Sequence, residues 1–264
     1  MSTQITVPAV PEDIDASTTW AVRVQGLSKA FEGRVAVDGI DLAVPAGTFT
    51  GLLGPNGAGK STTLAMLTGL LRPDAGSIRV ADVDVWRDPI SVKSRIGVVP
   101  ESLLLFERLS GRELLEYVGR LRRLDAEVVA ERSEDLLAVL GLQDDSTKLV
   151  VDYSQGMRKK ISLAAAILHA PEVLFLDEPF ESVDPISVRA IRGVLDQLVG
   201  SVATVVLSSH VMATVEALCD HVSIMHRGRV VASGTVDAVR GAGSLEQSFV
   251  DAVGATNHDR AALG

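Results

Sequence analysis

The chain has 264 residues, 47% of them hydrophobic and 4% aromatic, with a formal net charge of −9. That length suits one large α/β domain or two small ones with a good core. The acidic balance argues against a broad nucleic-acid footprint, which needs clustered Lys and Arg, so no nucleic acid is expected as a partner. Cys219 is the single cysteine, which rules out an intrachain disulfide or a zinc cluster and reads as a small buried hydrophobe. Apolar runs stop well short of membrane-spanning length and no secretory leader opens the sequence, so a soluble cytoplasmic chain is expected.

Residues 1 to about 18 mix Pro, Ser, Thr and acidic residues without apolar period, and are expected to form a disordered tail. From Trp20 the texture changes. Ala21-Val22-Arg23-Val24 alternates, and Val35 to Val44 reads as two strand-like pieces around Asp38-Gly39. With the apolar run Thr48 to Leu53, these predict an antiparallel, β-rich edge.

That last run leads into Gly54-Pro55-Asn56-Gly57-Ala58-Gly59-Lys60-Ser61-Thr62, which fits the phosphate-binding pattern G-x-x-x-x-G-K-[ST] at every fixed position. Helix-like apolar spacing follows from Thr63 to a Gly stop at Gly69. Glycines let successive backbone N–H groups converge on one anion, and the helix N-terminus adds partial positive charge. The pattern predicts that Lys60 reaches the β- and γ-phosphates of a nucleotide and that the Ser61 hydroxyl is a ligand to Mg²⁺.

Beyond the loop, Ser77 to Val85 reads as one strand and Ile96 to Val99 as a buried one. Leu114, Leu115, Val118 and Leu121, then Val128, Leu136, Leu137, Val139 and Leu140, recur at helical spacing among charged residues. They predict a helical insertion with solvated outer faces. Strands near 173–177, 203–208 and 222–226 then alternate with helices near 155–169, 186–199 and 211–218, the pattern of a parallel sheet. The strand Val173 to Leu176 ends in Asp177-Glu178. Beside a phosphate loop, such a pair is expected to supply a Mg²⁺-holding carboxylate and, from the opposite side of a strand-like backbone, a proton acceptor for attacking water.

With the loop and the Asp-Glu strand in place, the chain resembles the nucleotide-binding subunits of ABC (ATP-binding cassette) transporters, over nearly the whole span from Ala21 to about Val253. Tyr153-Ser154-Gln155-Gly156-Met157 resembles the family's LSGGQ signature, keeping its Ser and second Gly. The resemblance implies an α/β P-loop NTPase core with an N-terminal antiparallel β subdomain and an inserted α-helical subdomain at about 102–160. The implied ATPase domain spans 19–253, with a C-terminal tail at 254–264. It further implies that the signature acts on the ATP of a second subunit, so that ATP is sandwiched in a head-to-tail dimer. Phe31 matches the adenine-stacking aromatic, Asp184 the D-loop position that ties the protomers together, and His210 the switch histidine at the γ-phosphate. His169, His221, His226 and His258 match no motif and are expected to be structural or on the surface.

Two departures stand out. Glu101 occupies the place of the family's usual Gln, which contacts Mg²⁺ or the water and links to the helical insertion. It keeps an oxygen ligand, adds negative charge and loses the amide donor, so slower turnover or altered coupling is expected. Phe180-Glu181 replaces a more usual polar pair. The resemblance implies ATP and Mg²⁺ as cofactors, a separately encoded integral-membrane permease as partner, and a place on the inner face of the membrane. The signature and the ending Gly243 to Phe249 resemble bacterial exporters, which points to efflux of drug-like, lipid or polymer cargo. The competing readings are an ABC ATPase that transports nothing and a nucleotide-gated module with weak hydrolysis.

Overall fold

The computed structural model describes residues 19–200 and 203–261. The expected tail at 1–18 lies outside the described residues. In chain order the strands are β1 (Trp20–Phe31), β2 (Arg34–Pro45), β3 (Phe49–Leu53), β4 (Ala75–Val80), β5 (Val83–Asp84), β6 (Ile96–Val99), β7 (Val173–Asp177), β8 (Thr204–Ser209), β9 (His221–His226) and β10 (Arg229–Thr235). The helices are α1 (Lys60–Leu67), α2 (Pro89–Arg95), α3 (Gly111–Leu121), α4 (Ala126–Val139), α5 (Gln155–Ile167), α6 (Pro185–Gly200), α7 (Met212–Leu218), α8 (Val236–Arg240) and α9 (Leu245–Ala261).

Two sheets organise them. One is antiparallel, in the order β2-β1-β4-β5; the other runs β10-β9-β3-β8-β7-β6. In the second, β9, β3, β8, β7 and β6 are mutually parallel and β10 closes one edge antiparallel to β9. Strand β3 therefore belongs to the centre of the parallel sheet, which corrects its expected grouping with the antiparallel edge. Its burial explains the correction: all five of its residues are covered, as a strand with helices on both faces must be.

Alternation along the central strands splits the core in two. Leu53, Leu174, Leu176, Val205 and Leu207 pack on one face with α5, α6 and the helical insertion. Leu52, Val173, Phe175 and Val206 pack on the other with α1 and the antiparallel sheet. The phosphate loop thus emerges from the middle of a sheet buried on both sides, with the ends of β7 and β8 beside it.

Other expectations need adjusting. The segment 35–44 is one strand, not two pieces. Gly39, at φ +61°, is absorbed in an irregularity opposite Ser28, whose hydroxyl accepts its N–H at 3.0 Å. The expected strand 77–85 folds back at Ala81-Asp82, both at positive φ, into the β4–β5 hairpin. Helix α2 was not anticipated, although Asp88-Pro89 is a start signal: Asp88 caps the Ser91 N–H at 3.0 Å and Pro89 opens the helix. Helix α9 runs from Leu245 to Ala261, across the residue taken as the domain end.

The insertion between β6 and α5 is helical, as read. A capping box in which Ser110 and Glu113 satisfy each other's backbone N–H starts α3. Leu114, Leu115, Val129 and Leu137 bury its inner faces.

Candidate functional site

The phosphate loop is shaped by two close approaches that exclude side chains. A Cβ on Gly54 would sit 2.3 Å from the Met225 carbonyl oxygen. Gly59, at φ +106°, would bring one to 2.6 Å from the Ala36 oxygen. Lys60 opens α1 and is 6% exposed. Its ammonium donates to the carbonyl oxygens of Gly54 at 2.7 Å and Pro55 at 3.3 Å, which straps the loop around its own lysine. From there it stands 3.5 Å from Glu178 Oε1. One residue on, the Ser61 hydroxyl donates to Asp177 Oδ1 at 3.2 Å.

Asp177 ends β7 as expected. Glu178 does not continue the strand: its φ is 46°, so the expectation of a strand-like backbone is corrected. The left-handed turn carries its carboxylate toward Lys60 and His210 Nδ1, the latter 3.1 Å away. Oε1 lies close to both nitrogens yet accepts a well-aligned hydrogen bond from neither, and it is buried. An acceptor with nothing aligned on it, facing a cavity, is placed to take a proton or a donor from a third molecule.

That cavity, of about 230 Å³, is lined by Asn56, Gly57, Lys60, Ser61, Glu101 and Glu178, among others. Glu101, exposed, does reach it. Lys60 supplies positive charge there against the carboxylates of Glu101, Glu178 and Glu181. A cavity of oxygen donors with one lysine among three acids suits a hard divalent cation bound together with phosphates. A wider cleft of about 740 Å³ adjoins it, between Gly57, Gly59 and Thr62 on one wall and Phe31, Arg34, Val35 and Arg227 on the other. Phe31 closes β1 just before the tight Glu32-Gly33 turn and is 47% exposed, with the Lys29 ammonium 5.6 Å from its ring centre.

The signature segment lies elsewhere on the surface. Ser154 is the N-cap of α5 and accepts the Met157 N–H at 3.3 Å. Tyr153 turns inward: it is 5% exposed, its hydroxyl donates to the Asp145 carbonyl at 2.9 Å, and burial raises its pKa. Gly156 is pressed against α6, where a Cβ would meet Asp184 Oδ2 and Ser187 Oγ at 2.6 Å. Of the five side-chain positions, Ser154 and Gln155 are exposed, while Met157 packs partly into the core. Asp184 accepts from the Ile186 and Ser187 N–H groups at 3.1 and 2.9 Å, capping α6. Its bonds with Ser187 hold its carboxyl below the usual carboxylate range.

Sequence reasoning missed two residues at this site. Ser208, fully buried on β8, accepts the Glu178 N–H at 3.0 Å and donates to Asp177 Oδ1. Lys159, 3% exposed on α5, donates to the Glu178 carbonyl at 3.0 Å. Burial lowers the Lys159 pKa, opposed by the carboxylates of Glu181, Asp177, Glu101 and Glu178. A serine inside the apolar strand 204–209 and a lysine on the inner side of α5 were the available signals. The remaining histidines are structural in part: His169 donates from Nε2 to the Ile96 carbonyl at 3.0 Å, and the His226 ring meets that of Phe249 edge-on at 6.1 Å. The His258 side chain lies outside the described residues. Cys219 is buried, and burial raises its pKa to about 12, in keeping with a small inert hydrophobe.

Comparison with known proteins gives the family. The sequence profile described as ABC transporter matches residues 37–181. The daunorubicin resistance ATP-binding protein DrrA3 of Streptomyces coeruleorubidus is 42% identical over 220 residues, 83% of this chain and 70% of that protein. The linearmycin resistance ATP-binding protein LnrL of Bacillus subtilis (strain 168) is 35% identical over 214 residues, 81% of this chain and 69% of that one. A solved ATP-binding subunit of an ABC transporter superposes with a TM-score of 0.83 at 29% identity, over 88% of this chain and 99% of its own. The chain belongs to the ABC transporter family, as an ATP-binding subunit whose ATPase activity powers transport.

Proposed function

We propose that the subunit drives an exporter whose permease is a separate polypeptide, and that two nucleotide-binding subunits close head to tail over ATP during each cycle. The observation that carries this reading is the convergence of Lys60, Ser61 and Glu178 on one cavity, with Asp177 bonded to Ser61 and His210 beside Glu178. Two relatives named for resistance to daunorubicin and linearmycin support efflux of drug-like cargo. Among the described residues no helix is long and apolar enough to cross a membrane. In this reading the subunit sits on the inner face of the membrane through its permease.

In the proposed cycle the loop N–H groups and Lys60 hold the β- and γ-phosphates, and Phe31 stacks on adenine. Ser61 and Asp177, with Glu101 nearby, would hold Mg²⁺, which when bound neutralises charge on the phosphates. A water attacks the γ-phosphorus, the bond from that phosphorus to the bridging oxygen of ADP breaks, and Glu178 takes the proton released by the water. His210 keeps the Glu178 carboxylate oriented and contacts the γ-phosphate. Ser154 and the first N–H groups of α5 face the partner's γ-phosphate, and Asp184 steadies the junction.

The test is steady-state ATPase of the purified chain against Glu178→Gln, paired with co-purification of a membrane protein. The expected loss in Glu178→Gln is about 10²- to 10⁴-fold in kcat with nucleotide affinity kept, the range a general base contributes. Wild-type turnover no faster than that variant would favour a nucleotide-gated module, the reading that Glu101 at the cavity motivates. Failure to recover any membrane partner would favour an ATPase outside transport.

A further inference from the structure

Glu178 is held at φ 46°, a left-handed conformation that a residue with a long side chain adopts only when its surroundings enforce it. Two buried side chains grip its peptide groups from opposite sides. Ser208 Oγ accepts its N–H and the Lys159 ammonium donates to its carbonyl, each at 3.0 Å. The Glu181 N–H reaches the same carbonyl at 3.3 Å. Among the described residues Lys159 Nζ makes no ion pair within 4 Å, and its hydrogen bond goes to that backbone oxygen. Burying an ammonium is expensive, and although the carboxylates of Glu181, Asp177, Glu101 and Glu178 offset part of that cost from a distance, the group is committed to the Glu178 carbonyl.

We propose that Lys159 is a positioning residue for ATP hydrolysis. With Ser208 it clamps the Glu178 backbone in the left-handed turn, and so keeps the carboxylate aimed into the phosphate cavity between Lys60 and His210. The proposal rests on the reading of Glu178 as acceptor of the water proton. Lys159 also stands on the helix that Ser154 caps. A shift of α5 when Ser154 engages a partner's nucleotide is thereby passed to the Glu178 carbonyl of the same chain.

The experiment compares Lys159→Met and Lys159→Arg in the full chain, by steady-state ATPase and by the affinity of a fluorescent ATP analogue. Lys159→Met is expected to lower kcat about 10- to 100-fold, the cost of misplacing a reacting group by about an ångström. KM and analogue affinity should stay near wild type, and Lys159→Arg should recover most of the rate. In a Glu178→Gln background, Lys159→Met should cause no further loss in single-turnover hydrolysis, because the group it positions is already gone. A kcat within about twofold of wild type, or an equal loss in both backgrounds, overturns the clamp. If Lys159→Met does not fold, Ser208→Ala carries the same comparison from the other side of the turn. A Glu178→Gln chain that hydrolyses at the wild-type rate would instead overturn the functional reading beneath the proposal.

Discussion

At the phosphate loop, Lys60, Asp177 and Glu178 each meet partners from their own chain: loop carbonyls, the Ser61 and Ser208 hydroxyls, and the Lys159 ammonium. At the 153–157 turn, Ser154 and Gln155 are exposed, while their neighbours Tyr153 and Gly156 are locked against the interior. The first region is organised to act within the chain that carries it. The second is a fixed mount with its polar tip outward, which the proposed head-to-tail pairing would use to complete a site on another copy. The difference teaches where single-chain and two-chain chemistry should part under mutation.

The strongest way to break the comparison is Lys60→Ala. It removes the ammonium that straps the loop and, in the proposed cycle, holds the phosphates, so ATP affinity of the isolated subunit should fall about 100-fold, the weight of charge-assisted bonds to phosphate. Equilibrium binding of a fluorescent analogue measures it. Unaltered affinity would mean that the loop is not the phosphate cradle.

Ser154→Asp sharpens the comparison from the other side. Aspartate caps helices as well as serine does, so α5 and the thermal stability of the chain should be kept. The added charge would oppose a partner's γ-phosphate. Turnover should therefore drop about 10- to 100-fold, with single-subunit ATP affinity unchanged. An ATPase rate equal to wild type would assign Ser154 to capping alone.

How much of this was legible in the sequence follows the same division. The loop, Asp177 and Glu178 are contiguous motifs beside apolar runs, and their elements were read correctly because strand–turn–helix order is a local signal. What local signals cannot give is which strands pair. Sequence adjacency groups Thr48 to Leu53 with the antiparallel strands before it, whereas burial on both faces puts the strand between β8 and β9. The left-handed turn at Glu178 was also missed, since nothing in an Asp-Glu pair announces a positive φ. Lys159 and Ser208 were invisible for a related reason. They act through the backbone of a residue 19 and 30 positions away, and in sequence they look like an amphipathic helix and a strand. The roles assigned to Glu101, Phe31, Ser154 and Asp184 came from resemblance, and geometry supplies their surroundings.

The smallest effect should appear where the end of α5 meets β6. His169 Nε2 donates to the Ile96 carbonyl, and Arg122 at the end of α3 donates to the Lys93 and Ile96 carbonyls. Nδ1 of His169 is buried and has no hydrogen-bond partner among the described residues. A second proton would have to sit on that nitrogen, near the charges of Arg122 and Arg132. Burial first, and Arg122 next, accordingly lower the His169 pKa from 6.5 to about 4. Because the folded pKa is depressed, the unfolded chain binds more protons between those values, and folding stability is lost as pH falls through that window. His169→Gln keeps a donor for Ile96 and cannot titrate. The wild type should therefore lose a few degrees of Tm relative to this variant between pH 6.5 and pH 4. Parallel Tm curves across that range would show that the seam carries no buried neutral imidazole.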